Sequence, residues 1–368
     1  MKTLRIVSRV IIGITFMFSG FVKGVDPMGT MYKIEDYFVA YHLDWAMPLA
    51  IYLSFALVTL EFIIGVFLLL NIRMKEVTWV LTALMSFFTL VTLYDALFNP
   101  VPDCGCFGEA IKLTNWQTFY KNIVLMVFTL ILVFTAKYSK KTFPLKMERT
   151  AGVLFTLAFL MFVFYNHQNL PAIDFREWKE GRNMKQSGKA KYYLVYKNKT
   201  SGETRAYLSS ELPYNDSTWM ENWEFVKQKI DYSQVNRKHH LQIVDYNGND
   251  HTREIVENPN YQFIITSHSL DKAKAGALRR AAALYDSLSN KGYDFVVLTS
   301  SLKERSMEFQ ANYNTDIGIY QADDIELKTM VRANPGMILL KNGIILEKWH
   351  HSNLPGEEEI LKHYPVND

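Results

Sequence analysis

Two cysteines occur in the whole 368-residue chain, and both lie in Asp103-Cys104-Gly105-Cys106-Phe107-Gly108. A pair with one residue between its sulfurs can exchange disulfides, staple its own loop, or offer two thiolates to a metal. Gly105 permits the tight backbone turn that would bring Cys104 and Cys106 into bonding range. The resulting small ring is strained, and strained exposed disulfides are the more easily reduced ones. The spacing therefore suits a redox pair better than a staple. Two cysteines are too few for a disulfide framework, which excludes a small secreted scaffold.

The elements around the loop supply its possible helpers. Counting ~1.5 Å per helical residue puts Lys23, Asp95 and Lys121 near the level of the cysteines. A lysine beside a thiol favours the thiolate, whereas a lysine at that depth can equally be snorkelling to water. Asp103 adjoins the pair directly. Glu61 lies well inside an apolar run, where a carboxylate faces the bundle interior and finds a partner. The same count sets it level with Arg9, so a structural Glu61–Arg9 pair is expected, too deep to touch the cysteines. A metal site would need His42 from another loop, and two thiolates with one histidine are an incomplete set; no metal is expected.

Residues 6–22, 46–71, 77–98, 117–136 and 150–166 are apolar runs, each close to the ~20 residues that cross hydrocarbon. The charged start Met1 to Arg5 resembles a signal sequence, but no small-residue cleavage site follows, so the first run is expected to stay as a helix. Lys2, Arg5 and Arg9 flank the first run, Arg73 and Lys75 lie between the second and third, and Lys137, Lys140, Lys141, Lys146 and Arg149 between the fourth and fifth. All three clusters fall on one side, which the positive-inside rule makes cytoplasmic. The loops at 23–45 and 99–116, and everything after His167, are then outside, where a disulfide persists. The net charge of +3 clusters at the ends of the runs and leaves no nucleic-acid footprint; the partner that the runs demand is a lipid bilayer.

After residue 167 the chain turns polar. Residues 170–176 read as an exit linker. Tyr192 to Tyr196 and Thr204 to Leu208 alternate apolar and polar residues around a turn, as a β-hairpin does, with Trp219, Trp223 and Phe225 expected to fill the core of a small β-rich layer. From about residue 240 strands and helices alternate: strands at 241–244, 261–266, 295–299, 317–320, 337–340 and 344–346, helices at about 272–290, 302–312 and 356–363, and a hairpin across Asn342-Gly343. The fold class is thus a membrane all-α bundle of four helices plus a fifth anchoring helix, followed by an extracytoplasmic α/β domain.

Three features carry a resemblance. Ser19-Gly20-Phe21-Val22-Lys23, Glu61 followed by Gly65, and the cysteine loop together resemble the DoxX/MauE group of bacterial inner-membrane proteins over residues 1–140. MauE-type members are implicated in disulfide formation during maturation of a periplasmic enzyme, and DoxX relatives in quinone-linked sulfur oxidation. Residues 239–368 resemble a thioredoxin-like domain of the peroxiredoxin/TlpA type, with Asn334-Pro335 at its cis-proline position. Its Cys-x-x-Cys would follow the 261–266 strand, where this chain has Ser267-His268-Ser269-Leu270-Asp271. The resemblance therefore implies the fold without the thiol chemistry, and a lone His268 on that loop is expected to be exposed. The organisation reads as a bundle at 1–140, a basic loop and fifth helix at 141–167, an exit linker and β-rich segment at 168–238, and the thioredoxin-like domain at 239–368.

Two readings stay open at this point. In one, Cys104 and Cys106 exchange electrons with a periplasmic protein or a membrane quinone, the only cofactor the resemblance brings. In the other, the protein is a non-enzymatic scaffold or assembly factor whose cysteine pair is structural.

Overall fold

The computed structural model describes residues 2–101, 105–135, 142–185, 191–209, 212–213, 216–231 and 240–366. Asp103 and Cys104, and Lys137, Lys140 and Lys141 of the basic loop, lie outside the described residues. The chain divides into two units. The first comprises Met1–Lys179 with Thr329–Gly336 and Trp349–Pro355; the second comprises Glu180–Lys328, Met337–Lys348 and Gly356–Asp368.

Among the described residues of the first unit, five helices are long and apolar enough to cross a membrane. They are α1 (Lys2–Val25), α3 (Ala50–Leu70, entered through a 3-10 turn at Asp44–Leu49), α4 (Met74–Phe98), α5 (Asn115–Thr135) and α6 (Leu145–Gln168). Their large apolar side chains divide in two. Ile12, Phe16, Ile64, Leu68, Leu81, Met85, Leu125 and Leu132 form a buried cluster joining α1, α3, α4 and α5. Others, such as Trp79, Phe87, Leu90, Phe134, Leu154 and Met161, are exposed, as lipid-facing positions must be. Such apolar helices draw little advantage from meeting each other, so association depends on close packing at small residues. A methyl added at Gly20 would lie 2.5 Å from the backbone nitrogen of Phe62, and one at Gly65 would collide with the backbone of Met17. Gly20 opposite Phe62 and Met17 opposite Gly65 place α1 and α3 antiparallel.

The segment at 23–45, expected as a loop, instead carries α2 (Pro27–Ala40). Its start has a side-chain cap, Asp26 accepting from Gly29 N, with Pro27 in the first turn. Both features promote helix entry, so the signal was present in Asp26-Pro27. Residues 170–179 are more than a linker. Trp178 is wholly buried, and Arg176, 3% exposed, grips Asp174 through Nε at 2.7 Å and Nη2 at 2.8 Å.

The second unit holds two sheets. In the smaller, β1 (Lys191–Asn198) pairs antiparallel with β2 (Thr204–Leu208) on one side and β3 (Trp223–Asp231) on the other. A short helix, α7 (Ser217–Asn222), leads into β3. Its aromatics do not form the buried core that the sequence suggested. Trp219 lies 4.8 Å from Tyr196 and 5.4 Å from Tyr207 between ring centres, but Phe225 is half exposed. With few layers to cover the sheet, the rings cover one another.

The larger sheet contains β4 (Tyr261–Ser267), β5 (Tyr293–Thr299), β6 (Gly318–Gln321), β7 (Gly336–Lys341) and β8 (Ile344–His350), in the order β6-β5-β4-β7-β8. Strands β4, β5 and β6 are parallel, linked by α9 (Ala275–Leu288) and α10 (Lys303–Tyr313). Parallel strands need such crossovers. The β7–β8 turn at Asn342-Gly343 has positive φ at both residues, which is why Asn-Gly serves there. The described residues also include the helices α8 (Thr252–Val256), α11 (Asp324–Met330) and α12 (Glu357–His363). Phe263, Ile264, Val297, Leu298 and the run Met337 to Leu340 are fully or almost fully buried, the near-continuous apolar pattern of a sheet covered on both faces. Asn334–Pro335, just before β7, is a cis peptide, as expected. Residues 241–243 form no strand. Ile243 N donates to Thr252 Oγ1 and its carbonyl accepts from His251 N, so the start of α8 takes the bonds that a neighbouring strand would have used. Only Val244 bridges to Gln321 of β6.

Candidate functional site

The described part of the cysteine loop begins at Gly105, whose φ is +61°, and turns again at Gly108 with φ +52°. Its base is closed by Asn115 at the start of α5, whose Nδ2 donates to Asn99 Oδ1 at 2.8 Å and to Val101 O at 3.0 Å. Below the loop, inside the bundle, is a cavity of about 30 Å³ lined by Ser19, Lys23, Glu61, Cys106, Lys121 and Asn122 among apolar neighbours. That is enough room for at least one water molecule.

The polar chemistry of this cavity is a buried ion pair. Lys23 Nζ lies 2.8 Å from Glu61 Oε1 and 2.9 Å from Oε2, with the side chains 7% and 2% exposed. Ser19, one turn before Lys23 on α1, has its hydroxyl 2.8 Å from Glu61 Oε2 and 2.7 Å from the Cys106 carbonyl oxygen. One hydroxyl proton serves either acceptor, so Ser19 is the link between the ion pair and the cysteine loop. Lys121, from α5, sits with its ammonium 4.7 Å from the centre of the Phe107 ring, a cation–π contact. Asn122 is held toward α4 by its bond to Thr92 Oγ1 at 3.1 Å.

The structure thus gathers Lys23, Glu61, Lys121 and Cys106 around one cavity and leaves two expected helpers elsewhere. Asp95 accepts from Tyr37 Oη at 2.6 Å and ties α2 to α4. Arg9 does not pair with Glu61; its Nε is buried without a hydrogen-bond partner among the described residues. The expected Glu61–Arg9 pair is therefore replaced by Glu61–Lys23, and Glu61 is linked to the cysteine loop through Ser19. The error lay in depth. The register that sets Gly20 against Phe62 and Met17 against Gly65 puts Glu61 level with Phe21, twelve residues or about 18 Å along α1 from Arg9. Ser19 belongs to the Ser19-Gly20-Phe21-Val22-Lys23 motif, but no local pattern shows its function as a link.

In the second unit, the loop after β4 carries His268 in place of a cysteine. It is not exposed: its side chain is 17% accessible, with Nδ1 3.6 Å from Asp324 Oδ1. Burial, then the charge of Lys328, lowers its pKa to about 4. Among the described residues no cluster of three or more His, Cys, Asp or Glu side chains is placed to hold a metal.

These features define a multi-pass membrane protein with a C-terminal α/β domain of thioredoxin-like strand and helix arrangement, its cis-proline just before β7. Residues 1–135 match the family model of the methylamine utilisation protein MauE. Among solved structures the chain is similar to a thiol:disulfide interchange protein from Bacteroides sp., at 13% identity and a TM-score of 0.28, over 34% of this chain and 86% of that one. It is also similar to reduced Prx3 from Vibrio vulnificus in complex with hydrogen peroxide, at 11% identity and a TM-score of 0.26, over 33% and 91% of the two chains. No curated protein matches it.

Proposed function

We propose that this is a thiol–disulfide component of the bacterial inner membrane, acting at the periplasmic face through Cys104 and Cys106 on a periplasmic protein. The observation that carries the reading is the buried Lys23–Glu61 pair joined through Ser19 to the carbonyl of Cys106, one of the two cysteines of the chain. Two charges placed in an apolar bundle are costly unless they serve a structure or a site. Here they line the same cavity as Cys106.

In the proposed exchange a partner thiolate attacks one sulfur of the Cys104–Cys106 disulfide. The S–S bond opens, and the second cysteine leaves as a thiolate. A second partner thiolate then attacks the mixed disulfide and displaces the first cysteine. The partner leaves oxidised, the loop holds a dithiol, and the two electrons have passed between protein sulfurs alone. Lys121 and Lys23 favour the thiolate that departs. The second unit, whose thioredoxin-like site has His268 where a cysteine would stand, recruits the partner without reacting.

The MauE match over residues 1–135 supports a maturation role of this kind. Clusters of Lys and Arg at alternate ends of the spans support a cytoplasmic N-terminus and a periplasmic second unit, so a periplasm-active reporter fused after residue 170 should be active. Acid trapping of cells, followed by a mass-tagged alkylating reagent, tests the chemistry. Oxidised and reduced forms that interconvert when periplasmic oxidation is perturbed are expected. A pair that remains oxidised throughout overturns the redox reading and leaves a scaffold whose loop is stapled.

A further inference from the structure

Arg332 is among the most deeply buried charges of the first unit, 4% exposed, and the site described above does not use it. Its Nε lies 3.0 Å from Asp26 Oδ1 and 2.9 Å from Oδ2, its Nη2 is 3.7 Å from Glu109 Oε1, and its guanidinium carbon is 5.5 Å from the Tyr32 ring centre. A guanidinium held so far from water is tolerated because it has carboxylates and an aromatic face around it, and removing one partner of such a pair is far costlier than replacing both.

Its partners are placed with respect to the cysteine loop. Asp26 follows the last residue of α1 and caps α2 through Gly29 N at 2.9 Å. Glu109 is three residues beyond Cys106, in the same succession of turns, where Gly108 N donates to Gly105 O and Ala110 N to Phe107 O. Lys33 of α2 packs at the other end of the loop: a methyl added at Gly105 would lie 3.1 Å from Lys33 Cγ. The loop is thus held at Gly105 by α2 and at Glu109 by Arg332. The segment bearing Arg332 is itself anchored, since Thr329 O accepts from Arg176 Nη1 at 3.4 Å.

We infer that Arg332 is a positioning residue: by bridging Asp26 and Glu109 it holds the turns at 105–110 in place and limits the access of other molecules to Cys106. In function this rests on the redox reading, because a restrained loop matters only if its sulfur reacts. The restraint itself is measurable without turnover.

The test uses the full-length protein in detergent with Cys104→Ser, which leaves Cys106 as the one thiol, and reads its rate of alkylation by a maleimide. Arg332→Gln should speed the reaction roughly tenfold, the effect of about 1.4 kcal/mol on a local opening equilibrium. Asp26→Asn should do the same, because asparagine still caps α2 while its charge is gone. The double variant should react no faster than the quicker single one, as shared partners couple. If Arg332→Gln does not yield folded protein by size exclusion, Asp26→Asn alone decides. A rate in Asp26→Asn within about twofold of the parent overturns the inference, as do two fully additive effects. Neither result bears on whether the wild-type pair changes redox state in cells, which the trapping experiment reads separately.

Discussion

Lys23 on the first span and Glu61 on the second form a two-pronged ion pair, Nζ within 2.9 Å of both carboxylate oxygens, at a place where neither has appreciable access to solvent. Removing one partner strands the other. Lys23→Met or Glu61→Leu alone should destabilise the bundle by about 3–5 kcal/mol, and the double variant should recover most of that loss, because an apolar pair of similar volume often replaces a buried ion pair without penalty. Thermal unfolding in detergent measures both. If the double variant is as stable as the wild type yet fails to support disulfide exchange, the pair serves chemistry and not packing.

Lys121 makes a different prediction. It lines the cavity with Cys106 and lies over Phe107. Lys121→Met keeps the length of the side chain and removes the cation, so alkylation of Cys106 at pH 7 should slow by roughly threefold or more, as expected when a nearby charge stops favouring the thiolate. Lys121→Arg should retain the wild-type rate. The comparison is made in the Cys104→Ser background, with the rate followed against pH.

The close crossing of α1 and α3 can be tested by adding volume. Gly65→Val forces the backbone of Met17 away, and Gly20→Val does so at Phe62. Each should cost at least about 2 kcal/mol, in the range of overpacked cores, and should weaken the Ser19 link to Cys106 as well. Gly276→Ala meets nothing within 4 Å in the second unit and should be neutral or stabilising, since it removes a glycine from a helix.

The second unit should lose stability in mild acid. His268 has a pKa lowered to about 4 from 6.5, by burial first and by Lys328 next, against the opposing pull of Asp324. Between those values the unfolded chain binds the extra proton and the folded one does not, so stability falls as pH falls from 6.5 to 4. For His268 the loss approaches roughly 3 kcal/mol at 1.36 kcal/mol per unit. His350, likewise lowered to about 4 by burial and then by His351 and His167, adds in the same direction in the first unit. His268→Gln should flatten its part of the pH profile in denaturant melts; an unchanged profile would show that the imidazole is solvated.

Much of this was readable from residue order. Apolar runs located the five long helices of the described residues and the Asn342-Gly343 turn located the β7–β8 hairpin, whereas the cis bond at Asn334-Pro335 was expected only from the resemblance to a thioredoxin-like domain. What was not readable is of one kind: contacts between residues far apart in the chain. Apolar length places a span but not its depth, so Glu61 was matched with Arg9. The register that instead presents Lys23 is set by Gly20 against Phe62 and Met17 against Gly65, a pairing that no local pattern displays. Arg332 meets Asp26 across 306 positions, and neither residue has a neighbour in sequence that points to the other.

The antiparallel seam of α1 and α3 also determines where the chain tolerates a change of length. One residue inserted between Gly20 and Lys23 would turn Lys23 by about 100° around α1 and raise it by about 1.5 Å, carrying its ammonium off Glu61. The same insertion between Glu61 and Gly65 would detach the carboxylate from the glycine that seats it. The connecting segments outside the seam have no such periodicity to preserve. Insertions and deletions in natural variants of this bundle should therefore accumulate in the loops and spare these few turns, and that distribution of gaps would mark the seam as the part of the molecule with a protected reading frame.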